Sequence, residues 1–166
     1  MNNPYETHKP VSGGGIYFKP ESGKPYKIRL VGEPVVFQNT YEDNATTRYA
    51  WVIWNHTDKE AQIFQLPPSG YREVYDLAMG EWGDPAEYDI AYKKTGERLE
   101  TRHSVQPVKT STDLTDDQLS ACKLIDLKEA ISKSTSASHV YYISEAEQSP
   151  DSQTEDEILN EIFPEG

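Results

Sequence analysis

Short segments in which apolar and polar residues alternate are the feature that most constrains how this chain folds. The first, residues 26–31, places Ile28 and Leu30 on one face and Lys27 and Arg29 on the other. A period of two predicts a half-buried β-strand, because successive side chains of a strand point to opposite faces. The face that carries Lys27 and Arg29 must therefore be solvated or meet an anion.

Further segments of the same kind follow along the chain. A bend or bulge is predicted at residues 32–34, where Gly and Pro interrupt the first strand before it continues to residue 37. Apolar residues at helical spacing between residues 71 and 78 predict a helix that ends at Gly80. The other predicted strands cover residues 48–54, 62–66, 88–92 and 103–108. Five strands with a helix after the third is the element order of the OB-fold. We therefore expect a mainly β protein, a five-stranded OB-fold barrel with an inserted helix.

A second helix is predicted after the last strand. Thr115 and Gln118 have the spacing of a capping box, which satisfies free backbone N–H groups at a helix start. Apolar residues then recur every three or four positions as far as Ile131, so this C-terminal helix is amphipathic. Cys122 lies on its apolar side and is expected to be a small buried residue. The short apolar run at residues 139–143 has no assignment.

The net charge of −12 is unevenly distributed. Residues 145–166 contain eight acidic residues and no Lys or Arg, whereas residues 1–110 contain 15 acidic and 13 basic residues, a net of −2. The excess charge therefore belongs to a tail predicted to be disordered. We divide the chain into a flexible arm (1–15), an OB-fold domain with its C-terminal helix (16–131), and a linker with the acidic tail (132–166).

Several classes of protein are not expected from this sequence. One cysteine gives no disulfide framework and no Cys-rich zinc site, and the four histidines are far apart, so neither a metal nor a cofactor is predicted. No catalytic motif is present, and we do not expect an enzyme. An N-terminal leader and an apolar run of about 18 residues are both lacking, so no membrane association is expected.

Aromatic and basic residues share the predicted strands and turns. Single-stranded DNA is held by stacking of bases on aromatic rings and by pairing of phosphates with Lys and Arg. Alternation does not tell which face is wet, so Tyr49 and Trp51 either stack on bases or fill the core. The basic residues at 93 and 94 are either a solvated hairpin tip or DNA contacts. The candidate DNA-binding residues are Lys27, Arg29, Arg48, Tyr49, Trp51, Trp54, Tyr92, Lys93, Lys94, Arg98 and Arg102.

The order and spacing of several motifs resemble a known family. These motifs are residues 27–34, the Trp51-centred strand, residues 63–69, residues 83–90, Lys94-x-Gly96 and Val105-x-Pro107. Over residues 16–131 they resemble bacteriophage single-stranded DNA-binding proteins related to the T-even phage helix-destabilising protein. The resemblance implies a protein that coats single-stranded DNA without sequence preference. It would act in phage DNA replication, recombination and repair, in the cytoplasm of the infected bacterial host.

The resemblance carries over to Lys27, Arg29, Tyr49, Trp51, Lys93 and Lys94. Two features of the T-even protein are not found. Its structural zinc is held by a Cys/His cluster, which a single cysteine cannot supply. Its basic N-terminal arm for cooperative self-binding has no counterpart, because Lys9 is the only cation in residues 1–15. Self-association on DNA is therefore left open.

The acidic tail fits the same family. It can occupy the cationic groove when DNA is absent, which is autoinhibition, and it can recruit replication or recombination proteins. The residues expected to bind such partners are Asp156, Glu157, Ile158, Leu159, Glu161, Ile162 and Phe163. The alternatives are an acidic protein-binding module, such as a nucleic-acid mimic that inhibits a host enzyme, and a virion or assembly β-domain. A mimic would spread acidic residues over its folded face rather than keep them in a tail.

Overall fold

Six antiparallel strands form one sheet in the computed structural model, which describes residues 16–134 and 136–148. The strands are β1 (Pro25–Tyr41), β2 (Asn44–Asn55), β3 (Glu60–Leu66), β4 (Ile90–Thr95), β5 (Arg102–Pro107) and β6 (Ala137–Tyr142). Their order is β3-β2-β1-β4-β5, and β6 pairs with β1. The mainly β class is therefore confirmed. The described sheet is open, with β3 and β5 at its two ends.

β1 is the longest strand and organises the sheet. Its register with β2 shifts between Val31 and Val35, so the predicted bend is confirmed. Gly32 lies inside this irregularity with a φ of +76°, a left-handed conformation that glycine adopts without steric cost. On the edge away from β2, the first half of β1 pairs with β4 and the second half pairs with β6. The bulge thus divides one strand between two neighbours.

Four α-helices lie among the described residues. They are α1 (Pro68–Met79), α2 (Asp116–Lys123), α3 (Leu127–Ser132) and α4 (Ile143–Gln148). α1 matches the predicted inserted helix. The capping box of Thr115 and Gln118 is present, but the single C-terminal helix predicted to reach Ile131 is wrong. Asp126 accepts a hydrogen bond from the Glu129 N–H at 3.1 Å and so caps a separate helix, α3.

The sheet continues past the predicted domain boundary at residue 131. The unassigned apolar run contributes to β6, which pairs with β1. α4 follows directly, and its Glu145 forms an ion pair with Lys128 of α3 at 2.9 Å. The described part of the chain therefore includes elements as far as Gln148 that the sequence did not predict. The predicted arm at residues 1–15 lies outside the described residues.

Two apolar clusters lie on opposite faces of the sheet. One is covered by α1 and includes residues of the β4–β5 hairpin; its members include Tyr26, Ile28, Tyr49, Trp51, Phe64, Ile90 and Tyr92. The other lies beneath α2, α3 and β6, and it includes Val35, Phe37, Val52, Ile63, Cys122, Leu127 and Ile131. Both faces of β1 and β2 are therefore covered, which decides which predicted site residues can reach a ligand.

Candidate nucleic-acid interface

The aromatic residues proposed as a stacking platform lie in the core. Tyr49 and Tyr92 are 0% and 1% exposed, and Trp51 is 2% exposed. The ring of Tyr49 stacks on Tyr71 of α1, with 3.8 Å between centroids and 5° between planes. Because neighbouring protein side chains already cover these rings, the prediction that Tyr49, Trp51 and Tyr92 offer exposed faces to bases is corrected.

Tyr92 and Trp54 differ in how they are held. The Tyr92 hydroxyl lies 2.7 Å from Nδ1 of His103, and burial raises the pKa of Tyr92. Trp54 points to the opposite face of β2, where it is half-buried against the cluster beneath α2 and α3. Trp54 is thus the only one of the four predicted aromatic contacts that keeps a partly accessible ring.

Lys27 and Arg29 meet an anion that belongs to the protein. Asp89, just before β4, is fully buried. Its Oδ1 lies 2.8 Å from Arg29 Nε, and its Oδ2 lies 3.6 Å from Lys27 Nζ. The guanidinium of Arg29 is also buried and donates to the Thr112 carbonyl at 3.2 Å. Arg29 is therefore a structural residue, which corrects its predicted role as a DNA contact, whereas Lys27 keeps a partly exposed side chain.

The carboxylate of Asp89 is the centre of a polar cluster that the sequence did not predict. His56 Nε2 lies 3.0 Å from its Oδ1, and the Thr112 N–H donates to its Oδ2 at 2.8 Å. Burial on its own raises the pKa of Asp89, but these hydrogen bonds and the charges of Arg29 and His56 outweigh burial and lower that pKa. The sequence signal that pointed to Asp89 is the alternation of residues 88–90, in which Asp89 is the polar residue between Tyr88 and Ile90.

The β4–β5 hairpin carries the largest group of predicted cations. Lys93 and Lys94 lie in β4, Arg98 lies in a short 3-10 turn at the tip, and Arg102 begins β5. Lys94 is half-buried and the other three side chains are exposed. Within residues 16–134 and 136–148, none of the four forms an ion pair with a carboxylate. We call these four residues the hairpin cations.

The tip of this hairpin has a defined backbone. Gly96 has a φ of +78°, and a Cβ at this position would overlap the backbone oxygen of Glu100. Arg98 also has a positive φ, 55°, which is uncommon for a residue with a side chain. The turn holds Leu99 98% exposed, the most exposed of the large hydrophobic residues in the described part of the chain. An apolar side chain is thus presented next to Arg98 at the tip of the hairpin.

A further basic residue acts on the β4–β5 hairpin. Arg48 in β2 is half-buried, and burial lowers its pKa. Burial, followed by the charges of Lys94 and Arg48, lowers the pKa of His103 in β5. The charges of Arg48 and Lys94 therefore act on the same histidine, a link that no local sequence pattern predicts.

The tail residues predicted to bind partners, 156–159 and 161–163, lie outside the described residues. Among the residues described, no three His, Cys, Asp or Glu side chains are arranged to hold a metal ion. A cleft of about 350 Å³ is lined by Arg29, Val31, Asp113 and Leu114 with four other residues, and it adjoins the Asp89 cluster. None of the described helices combines the length and apolar character needed to cross a membrane.

Comparisons with protein-family models, curated proteins and solved structures returned no match.

Proposed function

We propose that this chain is a non-enzymatic protein that binds single-stranded DNA without sequence preference, through the surface formed by the hairpin cations. The observation that carries the proposal is the set of four basic groups without carboxylate partners in the described structure, on one hairpin whose tip also exposes Leu99. Unpaired Lys and Arg on one edge attract the phosphate backbone, whose charge does not depend on base sequence. Leu99 supplies an apolar contact for bases that are not paired.

The element order supports an OB-type barrel as the architecture behind this surface. A helix follows the third strand, and α1 contacts both β3 and β5, the two ends of the open sheet. In OB-folds the loop between strands four and five is one of the loops that bind oligonucleotides. The loop that carries Arg98 and Leu99 occupies this position in the chain order.

The biological role we propose is in phage DNA replication, recombination and repair, as the motif resemblance implies. The chain after Gln148 contains six acidic residues and no basic residue. We propose that this tail competes with DNA for the hairpin cations and recruits basic partner proteins. The separation of charge supports this role, since residues 93–109 contain five basic and two acidic residues.

The first experiment is a titration of labelled single-stranded and double-stranded oligonucleotides, followed by fluorescence anisotropy at several salt concentrations. Truncation after Gln148 keeps α4 and its ion pair while removing the remaining acidic tail. We expect the single strand to bind more tightly than the duplex, and the truncated chain to bind more tightly than the full chain. Failure of both chains to bind a single strand at low salt would contradict the proposed function.

Two triple variants that remove the same charge test whether the hairpin cations form the DNA-binding surface. Substituting Gln for the exposed hairpin cations Lys93, Arg98 and Arg102 should weaken binding by about tenfold or more and reduce the salt slope by up to about 2. The control substitutes Gln for three exposed basic residues elsewhere, Lys59, Arg72 and Lys123. Equal weakening in both variants would show that only total charge matters and would place the binding surface elsewhere.

A further inference from the structure

Two basic side chains lie together where the β4–β5 hairpin meets the start of α1. Lys94 and His103 are direct cross-strand partners in β4 and β5, so their side chains lie on the same face of the hairpin. Gly70 of α1 packs against the imidazole, since a Cβ at Gly70 would lie 3.2 Å from His103 Cγ. The histidine is half-buried as a result.

The charge of Arg48 in β2 acts on His103 as well, since it contributes to the lowered pKa of the imidazole. Across residues 16–134 and 136–148, neither Arg48, Lys94 nor His103 forms an ion pair with a carboxylate. Partly buried positive charge without a counter-charge is unfavourable unless an anion from outside completes the site.

We propose that Lys94 and His103 form a phosphate-binding site for one phosphodiester group of the bound strand, and that His103 takes up a proton when the phosphate binds. The site rests on the proposed function for its ligand. Nδ1 of His103 is engaged by the Tyr92 hydroxyl, so Nε2 is the ring atom available to a phosphate oxygen. Lys94 then contributes a further charged donor to the same anion, and the positive charge of Arg48 also favours it.

The direction of the pH effect follows from the groups that face His103. From β4 these are Lys94 and the Tyr92 hydroxyl, from β2 the charge of Arg48 acts on the ring, and from α1 the uncharged Gly70 lies against it. Without a ligand, burial and the two like charges lower the pKa of His103, so its ring is neutral at pH 7. A phosphate reverses this preference because it stabilises the imidazolium. Binding must therefore tighten as the pH falls.

Anisotropy titrations of an oligothymidylate with the full chain at pH 5.5, 6.5, 7.5 and 8.5, at constant ionic strength, test the site. We expect affinity to rise as pH falls, by at most about tenfold per pH unit, the limit for uptake of one proton. His103→Gln should remove this added dependence, so that the affinity of the variant no longer rises by this amount as the pH falls. His139→Asn is the matched control, since His139 is exposed on β6 with a φ of 54°, which Asn tolerates.

Titration of the His103 ring by NMR gives a second readout that does not depend on the affinity of a variant. The oligonucleotide should raise the pKa of His103, and Lys94→Gln should raise that pKa in the free protein by removing a like charge. A shift produced by inorganic phosphate but not by the oligonucleotide would support the anion site and contradict its occupancy by a strand. If the wild-type and His103→Gln chains bind single strands with the same pH dependence, the site is overturned while the proposed function stands. If the wild-type chain binds no single strand at any pH, both fall.

Discussion

The carboxylate of Asp89 and the guanidinium of Arg29 form a buried ion pair, with 2.8 Å between Oδ1 and Nε. The exposed fractions of the two side chains are 0% and 9%. Arg29 belongs to β1, Asp89 precedes β4, and the Thr112 N–H that binds the same carboxylate precedes α2. One buried charge therefore joins β1 and the start of β4 to the segment that leads into α2.

Asp89→Asn should destabilise the protein strongly. The amide keeps the approximate shape of the side chain but removes the charge, which leaves the guanidinium of Arg29 buried without a counter-ion. We expect the free energy of unfolding to fall by about 3–5 kcal/mol, the usual cost of removing one partner of a buried pair. Urea unfolding followed by circular dichroism measures the change. Asp113→Asn is the control, since Asp113 is exposed, and a similar loss there would contradict the special role of Asp89.

The same carboxylate predicts how stability changes in acid. The pKa of Asp89 is lowered in the folded protein, so the unfolded chain takes up its proton first as the pH falls. The contribution of Asp89 is complete above its ordinary pKa of about 4 and is lost as the pH falls through the lower folded value. The pKa of His103 is also lowered, so its contribution to stability is lost over a separate pH range, which begins as the pH falls below about 6.5. Urea unfolding from pH 7 to pH 2 should show both losses of stability. Asp89→Asn should remove only the loss that occurs below pH 4.

Arg29→Met separates a structural role from a DNA contact. Met retains apolar bulk but leaves Asp89 without its closest cation, so stability should fall, by less than for Asp89→Asn because Lys27 and His56 remain near the carboxylate. The affinity of the folded variant for single-stranded DNA should change less than twofold, because the guanidinium is buried. Anisotropy titration under conditions where circular dichroism shows a folded chain makes the comparison. A tenfold loss of affinity in a fully folded Arg29→Met protein would restore Arg29 to the binding surface.

Local pattern predicted the strands well and the exposure of their faces poorly. Alternation correctly placed Tyr49, Trp51 and Ile53 together on one face of β2, and Gly32 marked the bulge in β1. It could not show that α1 covers one face while α2 and α3 cover the other. That outcome depends on contacts between distant segments, such as the stacking of Tyr49 on Tyr71.

The ion pair shows the same limit for charged residues. The cations at 27 and 29 were expected to be solvated or to meet an anion, and the anion is Asp89, 60 residues further along the chain from Arg29. No local pattern pairs two positions at that separation. The hairpin cations were easier to predict, because Lys93, Lys94, Arg98 and Arg102 are close in sequence and lie on two strands joined by one turn.

Gly96→Ala should destabilise the hairpin tip more than Gly32→Ala destabilises the β1 bulge. Both glycines have similar φ angles, +78° and +76°, so both substitutions carry the left-handed penalty of about 1–2 kcal/mol. A Cβ at Gly96 also overlaps the Glu100 backbone oxygen, whereas nothing lies within 4 Å of a Cβ at Gly32. Thermal unfolding and amide exchange of the hairpin measure the difference. Equal losses of stability would mean that the loop relaxes around the new methyl group.

The reactivity of the Cys122 thiol should measure how firmly α2 is attached to the sheet. Cys122 belongs to α2 and is 1% exposed, and burial raises the pKa of its thiol to about 11. A thiolate is the reactive form, so we expect no measurable reaction with a disulfide reagent at pH 8 in the native protein. Reaction should begin only when α2 detaches or the chain unfolds, and its rate should therefore rise with urea. The Asp89→Asn chain, in which the tie to the segment before α2 is weakened, should react faster than the wild-type chain at the same urea concentration. Rapid labelling of the native wild-type protein would contradict the burial of Cys122, and identical rates in the two chains would contradict a tie through Asp89.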